Sequence, residues 1–128
     1  MTYNTLMLTY LYALIAAVVV LCAHVAGNNG FYGSIPQYDI GMHILGGITI
    51  ALFVAALLSS FAPQLIRRKR TIVLIVLCIG IVWELFEAYY DIAGYHLWTN
   101  AYYLDTAKDL LDDVIGAGLV AWLWKVRS

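Results

Sequence analysis

The sequence has few charged residues: Asp, Glu, Lys and Arg make up 12% of its 128 positions, against 63% hydrophobic residues. Soluble domains carry about 25% charged residues, and a chain of this length has too little interior to bury so much apolar surface. A water-soluble domain is therefore excluded. The formal net charge of −1 gives no support for a polyanionic partner, and the sequence contains no nucleic-acid-binding motif.

Basic residues are absent before the first apolar run, about residues 6–26, although a secretory signal peptide would begin with them. The run is also longer than the apolar part of a signal peptide, so we predict a retained membrane span. Only two cysteines occur, Cys22 and Cys78, and both lie within apolar runs. We interpret them as packing residues and not as a disulfide or metal pair.

Four segments are long enough to cross a bilayer whose hydrocarbon core is ~30 Å thick. They cover about residues 6–26, 39–62, 71–90 and 105–125. Basic residues cluster after the second segment, at Arg67–Arg70, and after the fourth, at Lys125 and Arg127. Because basic residues concentrate on the cytoplasmic side of membranes, this pattern predicts an all-α bundle of four transmembrane helices with both termini in the cytoplasm. The whole chain, residues 1–128, would form one transmembrane domain.

Every acidic residue of the chain falls in the half of the predicted bundle that lies away from the basic clusters. The eight residues come from three of the spans and are Asp39, Glu84, Glu87, Asp91, Asp105, Asp109, Asp112 and Asp113. Helical spacing places the acids of one span on a shared face, and His43 lies four residues after Asp39. So many carboxylates cannot all be ionised at that depth without a counter-charge. A bound divalent cation would supply one.

Oxygen ligands with one imidazole favour Mg²⁺, Ca²⁺ or Mn²⁺, with zinc and iron as alternatives. The expected ligands are Asp39, His43, Glu84, Asp109 and Asp113, and the candidates for general base are Glu87 and Asp112. Simpler roles are expected for two neighbours: Asp105 would cap or be solvated at the start of the last helix, and Lys108 would pair with Asp105 or Asp112. The alternative for the whole cluster is a structural core of proton-sharing carboxyl groups.

Three short motifs match those of a known family in their order and membrane depth. They are Asp39-Ile-Gly-Met-His43 at the start of the second span, Glu84-Leu-Phe-Glu87 near the end of the third, and Asp109-Leu-Leu-Asp-Asp113-Val-Ile-Gly116 in the fourth. Over about residues 38–123 the chain resembles the VanZ-like superfamily of small bacterial membrane proteins, including its branch with a DT-x-x-D helix start. Glu87 and Asp113 stand where that family usually has Gln and Asn. The resemblance implies a membrane fold of four to five helices in the bacterial cytoplasmic membrane and, for the family's namesake, resistance to the glycopeptide teicoplanin.

Three functions are compatible with these patterns. The first is a metal-dependent hydrolase that acts on a lipid or a lipid-linked precursor of the cell envelope, in the outer half of the membrane. The second is a cation-binding or transport protein. The third is a small structural or accessory subunit, as a homo-oligomer or within a membrane complex. We favour the first, because intramembrane ionisable residues usually mark functional sites. Membrane lipid is an expected partner in all three cases.

Overall fold

The computed structural model describes residues 3–66, 68–90 and 97–124, and these residues form helices and no strand. The four long helices are α1 (Tyr3–Ala26), α3 (Tyr38–Phe61), α5 (Lys69–Tyr90) and α6 (Asn100–Leu123). A π-helical turn (Gly27–Phe31) and the short α2 (Tyr32–Ser34) connect α1 to α3, and α4 (Pro63–Ile66) precedes α5. Four residues used in the sequence analysis lie outside the described ranges: Arg67, Asp91, Lys125 and Arg127.

The long helices have the length of membrane spans. Each contains 22–24 residues, which corresponds to ~35 Å at ~1.5 Å per residue. Among the described residues, three stretches are also apolar enough to cross a bilayer, Asn4–Ser34, Tyr38–Phe61 and Lys69–Tyr90. Helix α6 is equally long but carries five charged residues between Asp105 and Asp113. An all-helical fold with three candidate membrane spans is therefore confirmed for the described residues, and the fourth span stays a prediction.

Helix α3 lies at the centre and packs against α1, α5 and α6. Its contact with α6 is close because glycines lie where the two helices cross. A Cβ atom on Gly47 would collide with the main-chain carbonyl of Asp113, and a Cβ atom on Gly116 would collide with that of Ile44. Small residues at a crossing let helix backbones approach each other. This approach brings the first turns of α3 beside the acidic part of α6.

An apolar core fills the part of the bundle that lies towards α4. It consists of Ala51, Val54, Ala55, Ile66, Ile72, Val76, Ala117, Val120 and Ala121. Close by, Lys69 Nζ donates to the main-chain carbonyl of Trp122 at 3.1 Å, which satisfies an acceptor in the last turn of α6. We call this the basic end of the bundle, after Arg68, Lys69 and Arg70, and the opposite end, which contains Asp39, the acidic end.

The starts of α3 and α6 shape the acidic end. Helix α3 begins after Gln37, whose φ of 63° is left-handed, and Asp39 lies in its first turn as predicted. Helix α6 begins at Asn100, where the Thr99 side chain accepts a hydrogen bond from the main-chain N–H of Tyr102. The predicted start near Asp105 is therefore wrong, and Asp105 does not cap the helix. The physical reason is that Thr99 supplies the cap and no helix-breaking residue follows it.

Candidate metal centre

His43 is the centre of the acidic end. Its side chain is only 9% exposed, and its two ring nitrogens face different carboxylates. Nε2 lies 3.7 Å from Asp39 Oδ1 and 3.8 Å from Asp109 Oδ1, whereas Nδ1 lies 3.5 Å from Asp113 Oδ1. Asp39 precedes His43 by about one turn of α3, and Asp109 and Asp113 are about one turn apart on α6. Two pairs with i, i+4 spacing on facing helices therefore meet at one imidazole.

Among the residues that the structure describes, two sets of three side chains have a geometry that could hold a metal ion. The first set is Asp39, His43 and Asp109, and the second set is His43, Glu84 and Glu87. Within each set the ligand atoms all lie within 4.8 Å of one another. The first set joins α3 to α6, and the second joins α3 to α5. Because both sets contain His43, three helices contribute to a centre built around a single imidazole.

Asp113 lies in a niche formed by glycines. Its Oδ1 would be 3.9 Å from a Cβ atom on Gly46, and its Oδ2 would be 2.6 Å from a Cβ atom on Gly80. Any side chain at Gly80 would therefore displace this carboxylate. Since Asp113 contacts Nδ1 and the first set uses Nε2, its position favours orienting the imidazole over binding the same ion directly.

Lys108 places a positive charge beside the carboxylates of Asp39, Asp105 and Asp109. Its Nζ lies 3.1 Å from Asp39 Oδ2, 3.2 Å from Asp105 Oδ1 and 3.0 Å from Asp109 Oδ1. The pairing with Asp105 was expected from the i, i+3 spacing, whereas the ion pairs with Asp39 and Asp109 were not predicted. Two of these three carboxylates also belong to the first metal set. Lys108 therefore neutralises charge that a metal ion would otherwise neutralise.

Three buried carboxylate oxygens, Glu84 Oε1, Asp109 Oδ1 and Asp112 Oδ2, have no hydrogen-bond partner within the described part of the chain, although Asp109 Oδ1 forms the ion pair with Lys108. Glu84 is 5% exposed and Asp112 is 7% exposed. The Thr106 side chain lies beside the Glu84 carboxyl group but leaves Oε1 unpaired. Buried polar atoms are nearly always satisfied in folded proteins, so an unpaired one calls for a proton, a water molecule or an ion. Glu84 Oε1 therefore needs such a partner, and Glu84 belongs to the second metal set.

A cavity of about 370 Å³ opens beside His43. It lies between α1, α3 and α5, and most of its lining is aliphatic or aromatic. Asp39, His43, Glu87 and Asp113 form part of its polar lining. Pockets that bind small molecules usually measure ~300–1,000 Å³ and combine apolar walls with a few polar groups. A molecule in this cavity would meet the imidazole and the Glu87 carboxyl group together.

The structure gathers six of the seven predicted site residues around the imidazole. Asp39 and Asp109 share the first set with His43, and Glu84 and Glu87 share the second. Asp113 contacts the opposite ring nitrogen. Asp112 is buried but belongs to neither set and does not line the cavity.

Gly80, which makes room for the Asp113 carboxylate, was not among the predicted site residues. A signal was present, because Gly80 is the only glycine of α5 and lies four residues before Glu84, on the same helix face. The ion pair between Lys108 and Asp39 had no such signal, since the two residues are 69 positions apart.

Comparison with protein-family models identifies the family of the chain. The whole chain, residues 1–128, matches the model of a family described as "Predicted membrane protein (DUF2238)". No curated protein and no solved structure matches the chain. The family description agrees with the apolar helices, and the resemblance to the VanZ-like superfamily stays an expectation.

Proposed function

The chain belongs to the DUF2238 family of predicted membrane proteins, and we propose that it is a metal-dependent hydrolase acting on a membrane lipid or a lipid-linked precursor of the cell envelope. The observation that carries this proposal is the first metal set, in which ligand atoms of Asp39, His43 and Asp109 lie within 4.8 Å of one another. This set adjoins a cavity that is largely apolar and of small-molecule size.

The donor atoms suit a divalent ion. Asp39 and Asp109 would bind it through carboxylate oxygens and His43 through Nε2, while Asp113 holds the other ring nitrogen. Carboxylates suit Mg²⁺, Ca²⁺ and Mn²⁺, and the imidazole extends the range to Zn²⁺ and iron. The unpaired oxygen of Glu84 supports an ion as well, because a cation nearby would reduce the cost of burying that carboxylate.

The chemistry follows from the ligands and the cavity. A divalent ion at this centre would activate a water molecule or polarise a phosphoryl or acyl oxygen. Glu87 lines the cavity and shares a set with His43, so its carboxylate is placed to accept the proton of an attacking water. Asp112, the other candidate base, does not line the cavity, which favours Glu87.

Cation transport has less support. A through-path needs polar groups along the length of the bundle. The core between α3, α5 and α6 consists of apolar side chains, as far as the described residues extend towards the basic end. That arrangement favours a centre that is open at one end only.

The orientation of the protein in the membrane is part of the proposal. Arg68, Lys69 and Arg70 lie at the basic end, which the positive-inside rule assigns to the cytoplasm. The metal centre would then face outward from a bacterial cytoplasmic membrane. Helix α6 would complete a bundle of four transmembrane helices with both termini inside.

Elemental analysis by mass spectrometry of detergent-purified protein tests the metal centre directly. We expect about one divalent ion per chain in the wild type and a loss of that ion in His43→Gln and Asp109→Asn, because each removes a ligand. His24→Gln is the matched control, since His24 hydrogen-bonds Tyr32 and Asn28 and belongs to neither set. Hydrolysis of phospholipids and polyprenyl diphosphates in lipid nanodiscs, with and without chelator, then tests turnover.

The opposite result has a clear meaning. A wild type without bound ion, whose melting temperature does not change on addition of Mg²⁺, Ca²⁺, Mn²⁺ or Zn²⁺, would overturn the metal proposal. The carboxyl groups would then share protons in a structural core, and an accessory subunit would be the better description.

A further inference from the structure

The cavity beside His43 is partly lined by residues that are exposed on the side of the bundle. Three of its lining residues are themselves exposed, Leu21 at 63%, Ile79 at 40% and Trp83 at 43%. Leu21 comes from α1, and Ile79 and Trp83 come from α5. Both helices pack against α3, so the gap between them forms a lateral entrance from the region that the hydrocarbon of a bilayer would occupy.

The lining changes from polar to apolar along all three helices that form the cavity. On α1 it runs from His24, near the end of the helix, back to Ala17, and on α5 it runs from Glu87 back to Ile79. On α3 it runs from Asp39 to Ile50. Most of the polar groups therefore lie at the acidic end. The deeper part of the lining is mainly apolar, and its polar members are Asp113 of α6 and Thr49, whose hydroxyl group donates to the main-chain carbonyl of Leu45.

The depth of the cavity matches one leaflet. The lining on α3 extends over 11 residue steps, from Asp39 to Ile50, which is ~16 Å at ~1.5 Å per residue. A leaflet contributes half of the ~30 Å hydrocarbon core. Over this depth the cavity is polar at the headgroup end and mainly apolar beyond His43, which is the arrangement expected of a site for one hydrocarbon chain.

We propose that the cavity binds one acyl chain of a glycerophospholipid from the leaflet at the acidic end, with its headgroup beside Asp39, His43 and Glu87. This proposal names the class of lipid on which the hydrolase would act, and it rests on the proposed function for the role of the headgroup. The binding of the acyl chain depends only on the cavity. A polyprenyl chain is a poorer fit, because its branched and much longer hydrocarbon exceeds one leaflet.

Photochemical labelling tests whether the acyl chain binds in the cavity. The full-length protein is reconstituted in nanodiscs with phosphatidylglycerol that carries a diazirine within one acyl chain, and labelled residues are mapped by mass spectrometry. Thr49 is the informative position, because it lines the cavity but is only 8% exposed, so bulk lipid has little access to it. We expect labelling at Thr49 or Ile50 in addition to the background on lipid-facing residues.

Matched variants of α1 distinguish labelling inside the cavity from labelling on the outer surface of the bundle. Ala17→Trp and Val20→Trp place an indole into the cavity and should remove the labelling at Thr49 and Ile50. Val18→Trp is the control, because Val18 is 52% exposed and does not line the cavity. Labelling confined to outward residues such as Val18, or labelling at Thr49 that persists in both cavity variants, would overturn the inference. Labelling at Thr49 by a diazirine polyprenyl phosphate but not by the phospholipid would also overturn it.

The two proposals fail independently. Loss of the metal in Asp109→Asn with unchanged labelling at Thr49 supports the acyl-chain site whether or not the protein is a hydrolase. A stoichiometric metal ion together with an unlabelled Thr49 leaves the metal centre in place and overturns the acyl-chain site.

Discussion

At the scale of single residues, Lys108 and a metal ion would compete for the same carboxylates. Lys108 Nζ contacts Asp39 and Asp109, and both carboxylates belong to the first metal set. The lysine side chain is 37% exposed, so its ion pairs are partly screened by water. Lys108 is therefore a tethered cation that neutralises these carboxylates, and it would have to move for the proposed divalent ion to bind.

Replacing Lys108 by Met should change stability and metal affinity in opposite directions. We expect the ion-free protein to lose about 1 kcal/mol, as partly exposed ion pairs do, and the affinity for Mn²⁺ to rise by about tenfold, or ~1.4 kcal/mol. Thermal unfolding with chelator and isothermal titration with Mn²⁺ measure the two effects. Lys108→Arg retains the charge and serves as the control. A decrease in Mn²⁺ affinity in Lys108→Met would contradict the competition.

At the scale of helices, the acidic end depends on the close crossing of α3 and α6. Gly47 and Gly116 meet main-chain atoms of the other helix at this crossing. The carbonyl that a Gly47 side chain would strike belongs to Asp113, the residue that contacts His43 Nδ1. Packing and site geometry are therefore linked through the same residue.

Gly47→Ala should destabilise the protein and weaken metal binding together. Overpacking at a helix crossing costs about 1–3 kcal/mol, and separating α3 from α6 moves Asp109 away from His43. Gly118→Ala is a matched control on α6, because a Cβ atom there meets nothing within 4 Å, and it should be neutral or stabilising. Thermal unfolding and elemental analysis of both variants check this, and equal melting temperatures would show that the crossing is not tight.

The sequence predicted the long helices better than their contacts. The apolar runs that became α1, α3 and α5 are bounded by Gly, Asn and Pro or by the basic cluster, and these local signals predict helices well. The start of α6 was missed because its cap, Thr99, lies in a segment rich in aromatic residues that resembles a loop. The contacts of Asp39 with Lys108 and of His43 with Asp113 depend on how two helices cross, which no local pattern contains.

At the scale of the whole molecule, the charge pattern makes a prediction about the two sides of the membrane. Gln37 lies exposed at the acidic end, just before α3, and Gln64 lies exposed in α4 at the basic end. In a chain whose Cys22 and Cys78 are replaced by Ala, Gln37→Cys should react with a membrane-impermeant maleimide in intact cells. Gln64→Cys should react only after permeabilisation, because the basic end is expected in the cytoplasm. The reverse pattern would place the metal centre on the cytoplasmic side.

The end of the bundle that holds the acids was the part of the whole-molecule arrangement that the sequence could predict. The basic clusters placed the acids of the three spans in the opposite half of the bundle, and the structure brings Asp39, Glu84 and Asp109 around His43 at the end away from Arg68, Lys69 and Arg70. Which carboxylate approaches which ring nitrogen could not be predicted, because it depends on the rotation of each helix about its own axis.

As the fourth span of the proposed bundle, α6 would carry its charges into the membrane during synthesis. Insertion scales assign about 2.5–3.5 kcal/mol to an Asp or Lys at the centre of an isolated span, with less near the interface. Between Asp105 and Asp113, α6 carries five such residues, whereas α1, α3 and α5 are apolar enough to partition by themselves. The last helix would therefore gain a favourable transfer energy only when α3 and α5 already offer His43 and the glycine niche to its carboxylates. Membrane insertion and tertiary folding would then be one event for this helix.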